Sequence, residues 1–144
     1  MKHEPATDKP KILIVEDHPD VLQTIVFLLQ RAGGNVVAAQ TGVQGLELAQ
    51  DGDFDLITLD IDMPGMNGFE VCQNLKQDPL LRDTPVVFVS GRMSEADIAH
   101  GFALGAVDYI AKPFDALNFA SKIISHLTRH TLAACPDDEA SEFH

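Results

Sequence analysis

The stretch LITLDIDMPGMNG, residues 56–68, carries an apolar run into two carboxylates, Asp60 and Asp62, and then into Pro64-Gly65 and Asn67-Gly68. A carboxylate is costly to bury, so an acid that closes an apolar run is expected where a strand emerges from the core. Pro-Gly and Asn-Gly read as turn chemistry, with glycine supplying positive φ. The stretch therefore reads as a buried strand followed by an acidic turn.

Runs of the same kind occur on either side of it. KILIVED holds Ile12 to Val15, VVFVS spans 86–90, and NVVAA at 35–39 and DYIA at 108–111 are shorter candidates. Apolar runs without polar alternation suit strands covered on both faces, as in parallel sheets. With DLITLD at 55–60, weakened by Thr58, the count is five strands. Between and after them lie helical patterns at Asp20 to Ala32, Gly42 to Gln50, Phe69 to Gln77, Ser94 to Leu104 and Asp115 to Arg129. Gly33-Gly34 is a suitable stop for the first, and Ser94 and Asp115 are suitable N-caps.

A strand and a helix repeated five times predict an α/β fold, a doubly wound parallel sheet with right-handed crossovers and helices on both faces. Ligand sites in such sheets lie outside the carboxyl ends of the strands. Glu16 and Asp17 stand at the first strand end, Asp60 at the third, Ser90 at the fourth and Lys112 at the fifth. Crowded carboxylates require compensation, and a hard divalent cation supplies it. Mg²⁺, an ammonium and a hydroxyl together make a receptor for a phosphoryl group.

Composition narrows the classes further. A chain of 144 residues with 45% hydrophobic content suits one domain with one core. A formal net charge of −12 argues against direct binding to DNA. Cys72 and Cys135 have neither the number nor the spacing of a disulfide framework or a zinc site, so a reduced, cytoplasmic setting is expected. No apolar stretch approaches the length of a membrane span, and none is expected to serve as a leader. The expected division is an N-terminal extension at 1–9, a folded domain at 10–130 and a short, disordered acidic tail at 131–144.

In ILIVED, LDIDMPGMNG, VVFVSGR and GAVDYIAKPF, in that order, the sequence resembles the receiver domains of two-component response regulators, whose single-domain form is CheY-like. The resemblance covers roughly residues 10–130 and implies a flavodoxin-like (βα)5 fold with strand order 2-1-3-4-5. It implies that Asp60 accepts phosphate from a sensor histidine kinase or a histidine phosphotransfer protein. Asp17, Asp60 and the backbone carbonyl of Asp62 are then ligands of Mg²⁺, with Mn²⁺ as an alternative ion and Glu16 acting through water. Lys112 and Ser90 bind the phosphoryl group, Tyr109 turns inward as Ser90 moves, and the Lys112–Pro113 peptide is cis. The output is a changed surface on the fourth helix, fifth strand and fifth helix, read by a protein target, in a monomer or a phosphorylation-dependent dimer.

Other readings of single residues and of the whole chain stand beside this one. Asp62 and Arg92, each two residues past a site residue, are expected to pair across the site and prolong the phosphorylated state. His126 and His130 read as a solvated helix end, and Cys72 as a helix residue partly in the core. The rivals are a receiver excised from a hybrid histidine kinase or longer regulator, a phosphorylation-independent adaptor, and, more remotely, a haloacid-dehalogenase-like phosphatase built on Asp60-Ile61-Asp62. None but the last is an enzyme, and a phospho-acceptor regulator is the expectation.

Overall fold

Ile12 to Val15, Leu56 to Leu59 and Val86 to Ser90 are buried along their whole lengths, as strands sandwiched between two helical layers must be. The computed structural model describes residues 9–92 and 94–134. Its elements are β1 (Lys11–Val15), α1 (Pro19–Arg31), β2 (Asn35–Ala39), α2 (Gly42–Asp51), β3 (Leu56–Leu59), α3 (Gly68–Gln77), β4 (Val86–Ser90), α4 (Glu95–Ala103), β5 (Asp108–Ala111) and α5 (Ala116–Ala134). All pairings are parallel, and the sheet order is β2-β1-β3-β4-β5. This is the flavodoxin-like arrangement.

Alternate strand residues face opposite layers. Leu13, Val15, Ile57, Leu59 and Phe88 pack with Ala49, Val71 and Leu75 of α2 and α3. Ile12, Ile14, Leu56, Val87 and Val89 pack with Ile25 and Leu29 of α1 and Phe119 and Ile123 of α5. The winding reverses between β1 and β3, whose last residues, Val15 and Leu59, are in register. The next residue on each strand hydrogen-bonds onward: Asp60 N–H to the Val15 carbonyl at 3.0 Å, and Glu16 N–H to the Ala39 carbonyl at 3.0 Å. Both acids therefore leave the sheet at its switch point.

Helix ends follow local chemistry. At the end of α1, Gly33 takes φ 101°, while Gly34 N–H reaches the Leu29 carbonyl and Gly33 N–H the Gln30 carbonyl, the pair of bonds that satisfies the last turn. Ser94 caps α4 by accepting the Asp97 N–H, and Asp115 accepts the Asn118 N–H at 3.1 Å before α5. Helix α5 continues to Ala134, four residues beyond the expected domain edge at 130. The rest of the expected tail and residues 1–8 lie outside the described residues.

Candidate functional site

Glu16, Asp17 and Asp60 each offer one oxygen, all within 4.8 Å of one another. Glu16 and Asp60 are almost fully buried, at 1% and 5% exposure. Lys112, just past β5, reaches back over the rim, its Nζ 2.8 Å from Glu16 Oε1 and 3.4 Å from Asp60 Oδ1. Beyond this ion pair, the buried Glu16 Oε1 has no hydrogen-bond partner among the described residues. Glu16 Oε2 accepts the His18 N–H at 3.2 Å.

Burial, then the charge of Glu16, pushes the Asp60 carboxyl up to about 7, against the pull of Lys112. One cation for these carboxylates is too few, and a second positive charge would relieve them. The donor set fits a hard divalent ion: three carboxylates, no nitrogen or sulfur, and a buried Glu16 oxygen whose one partner among the described residues is the Lys112 ammonium.

Ser90 ends β4, fully buried, and its Oγ accepts the Arg92 N–H at 3.2 Å. Lys112 N–H donates to the Ser90 carbonyl at 2.9 Å, locking the ends of β4 and β5 together. The Lys112–Pro113 peptide is cis. Tyr109 is turned inward and buried, its phenol donating to the Arg92 carbonyl, and burial raises its pKa. On the outer lip Arg92 Nη1 lies 2.9 Å from Asp62 Oδ1, and Nη2 lies 3.4 Å from Asp97 Oδ1.

The turn after β3 is built by Asn67, which accepts the Glu70 N–H while Glu70 accepts the Asn67 N–H, a reciprocal cap for α3. Gly65 has φ 77°. Gly68 does not adopt positive φ as its sequence context suggested. Its role is close approach: a Cβ there would stand 2.2 Å from the Asp60 carbonyl oxygen.

His126 also departs from expectation. It is buried on α5, with Nε2 2.9 Å from Asp108 Oδ2, and is not part of a solvated helix end. The side chain of His130 and the whole of Cys135 lie outside the described residues. Cys72 is wholly buried on α3, and burial pushes its thiol up to about 11, which makes it unreactive. Sequence reasoning missed Asp97 and Asp108. Asp97 carried a signal, three residues after the cap Ser94, but its second partner Arg92 is a matter of loop geometry.

A family model described as the response regulator receiver domain matches residues 12–124. The chain belongs to this family. Among relatives, the transcriptional regulatory protein YvrH of Bacillus subtilis is 37% identical over 123 residues, 85% of this chain and 51% of that protein. CpxR of Escherichia coli, also a transcriptional regulatory protein, is 38% identical over 119 residues, 83% of this chain and 50% of its own length. The receiver thus spans about half the length of the curated relatives it matches. Among solved structures, the chemotaxis protein CheY4 of Vibrio cholerae superposes with TM-score 0.78 at 30% identity, over 81% of this chain and 98% of that one. A CheY-like receiver from Methanospirillum hungatei gives TM-score 0.81 at 27% identity, over 86% and 98%.

Proposed function

We propose that this receiver is a Mg²⁺-dependent phosphoryl switch in which Asp60 is the acceptor. The supporting observation is the buried Asp60 carboxylate, grouped within 4.8 Å with those of Glu16 and Asp17 and 3.4 Å from Lys112 Nζ. An Asp60 oxygen attacks the phosphorus of a phosphohistidine on a kinase or phosphotransfer protein, and the imidazole leaves. Asp17 and Asp60, the Asp62 carbonyl, and Glu16 through water would hold Mg²⁺ or Mn²⁺, which when bound neutralises charge on the transferring group. Lys112 balances the acyl phosphate, and the Ser90 hydroxyl donates to it. Only a conformation that brings Ser90 to the phosphoryl group, with Tyr109 inward in the space Ser90 leaves, uses these contacts fully, and that difference moves the surface of α4, β5 and α5 toward a protein target.

The receiver works in the cytoplasm, binds no DNA itself at its net charge of −12, and acts as a monomer or a dimer formed on phosphorylation. Among the described residues no helix is long and apolar enough to cross a membrane. Asp62, at 62% exposure and paired with Arg92, suits a lip residue better than the buried acid-base group of a phosphatase. That pair hinders the water that attacks the acyl phosphate. Arg92→Ala is expected to speed dephosphorylation by up to about fivefold; a lifetime equal to wild type would remove this role.

Intact mass after incubation with acetyl phosphate and Mg²⁺ tests the proposal. A labile gain of one phosphate is expected in the wild type and not in Asp60→Asn. No gain in a folded, Mg²⁺-binding wild type would favour the adaptor reading.

A further inference from the structure

Arg92 makes four contacts that belong to four different places. Its N–H donates to Ser90 Oγ at the end of β4, and its carbonyl accepts the phenol of Tyr109 on β5. Its guanidinium bridges Asp62, after β3, and Asp97, in the first turn of α4. Asp97 is itself fixed, its Oδ2 accepting the Ser94 hydroxyl at 2.8 Å and its N–H donating to Ser94 Oγ at 3.0 Å. A planar guanidinium held by two carboxylates on separate elements fixes its own backbone in place. That backbone carries the carbonyl to which Tyr109 is tied.

Helix α4 meets the same tyrosine from another side. Gly101 is its one fully buried residue, and a Cβ there would lie 3.0 Å from Phe88 Cδ2 and 3.6 Å from Tyr109 Cδ2. The glycine lets the helix rest against the Phe88 and Tyr109 rings, whose centroids are 6.0 Å apart. Farther along α4, Ile98 packs on the core and the His100 ring lies 4.4 Å from the Phe69 ring, centroid to centroid. The first turn of the helix is tied to the β4 end through Asp97 and Arg92.

We infer that Asp62, Arg92 and Asp97 form a latch that keeps Tyr109 inward, and that Asp97, on α4 and remote from the acceptor carboxylate, is a positioning residue for this tyrosine. The latch acts through two solvent-exposed ion pairs, so ionic strength weakens it. A modest bias suffices, because a ring with two positions responds to any difference between them. Its meaning for signalling rests on the receiver switch proposed above; the latch itself does not.

The chain contains one tyrosine and no tryptophan, so its tyrosine emission reports on Tyr109 alone. Quenching by acrylamide, a neutral probe, is to be measured on the full unmodified chain at neutral pH and low salt. Wild type is expected to be poorly quenched, with Asp97→Asn and Arg92→Ala each raising the quenching constant about two- to threefold. Asp97→Asn retains an acceptor for Ser94, and Asp97→Glu is expected to restore the wild-type value.

The double variant separates the latch from a mere loss of charge at the helix start. Equal quenching in the double and single variants supports action through Arg92, whereas additive effects overturn it. Sodium chloride at about 1 M should raise quenching in wild type and leave Arg92→Ala unchanged. Equal quenching in wild type and both single variants overturns the latch outright. None of these measurements uses a phosphodonor, so failure of phosphoryl acceptance and failure of the latch are separately visible.

Discussion

Two clusters of one cation and two carboxylates flank the same strand ends, and they differ in burial. Lys112 faces Glu16 and Asp60, whose side chains are 1% and 5% exposed. Arg92 faces Asp62 and Asp97 while itself 47% exposed, with Asp62 at 62%. In the first cluster water cannot screen the charges, so repulsion and desolvation push Asp60 up to about 7. In the second, solvent absorbs most of the interaction. The badly balanced charges of the buried cluster are what the proposed phosphoryl chemistry draws on; the exposed cluster can only bias geometry.

Removing the buried cation should give the largest effect. Lys112→Ala leaves Glu16 and Asp60 facing each other, and in metal-free protein at alkaline pH a loss of about 3 kcal/mol or more is expected in urea unfolding. Mg²⁺ should recover part of it. A loss no greater than that of an exposed lysine would mean that the cluster is not electrostatically coupled.

Asp60→Asn should act in the opposite direction. An acid whose folded pKa is raised, here from 3.8 to about 7, binds more protons in the folded state, so its destabilising contribution is absent below the unfolded value. The cost grows between these two values and is complete above pH 7. With chelator present, Asp60→Asn is therefore expected to exceed wild type by about 3 kcal/mol at pH 8, the gap closing as pH falls to 4. A gap independent of pH would contradict the burial of a charged Asp60.

The smallest effect belongs to the lip. Asp62→Ala should move the thermal midpoint by less than about 3 °C, and strong salt should abolish even that. A larger, salt-resistant shift would erase the contrast between the clusters.

The sheet was legible because its signal is local. Ile12 to Val15 and Val86 to Val89 are uninterrupted apolar runs, and an acid, a serine or a lysine after four of the five runs marks the rim without reference to distant residues. Contacts between elements were less visible. The partner of His126 is Asp108, on β5, whereas its place late in the last helix pointed to solvent. Gly68 looked like a turn glycine because sequence cannot distinguish positive φ from a carbonyl 2.2 Å from an absent Cβ. The pairing of Asp62 with Arg92 was readable from equal offsets past Asp60 and Ser90, while the bridge on to Asp97 depends on the placement of α4. The edge of α5 was misplaced because alanines at 133 and 134 continue a helix with no stop residue before them.

The most direct measurement is to find which carboxylate carries the phosphoryl group. Borohydride reduces an aspartyl phosphate to homoserine, which peptide mass spectrometry locates after acetyl phosphate treatment. Homoserine at position 60 alone, and only with a divalent cation, is the expected result. Reduction at Asp17 or Asp62, or a phosphorylated protein with no homoserine at all, would contradict Asp60 as the acceptor.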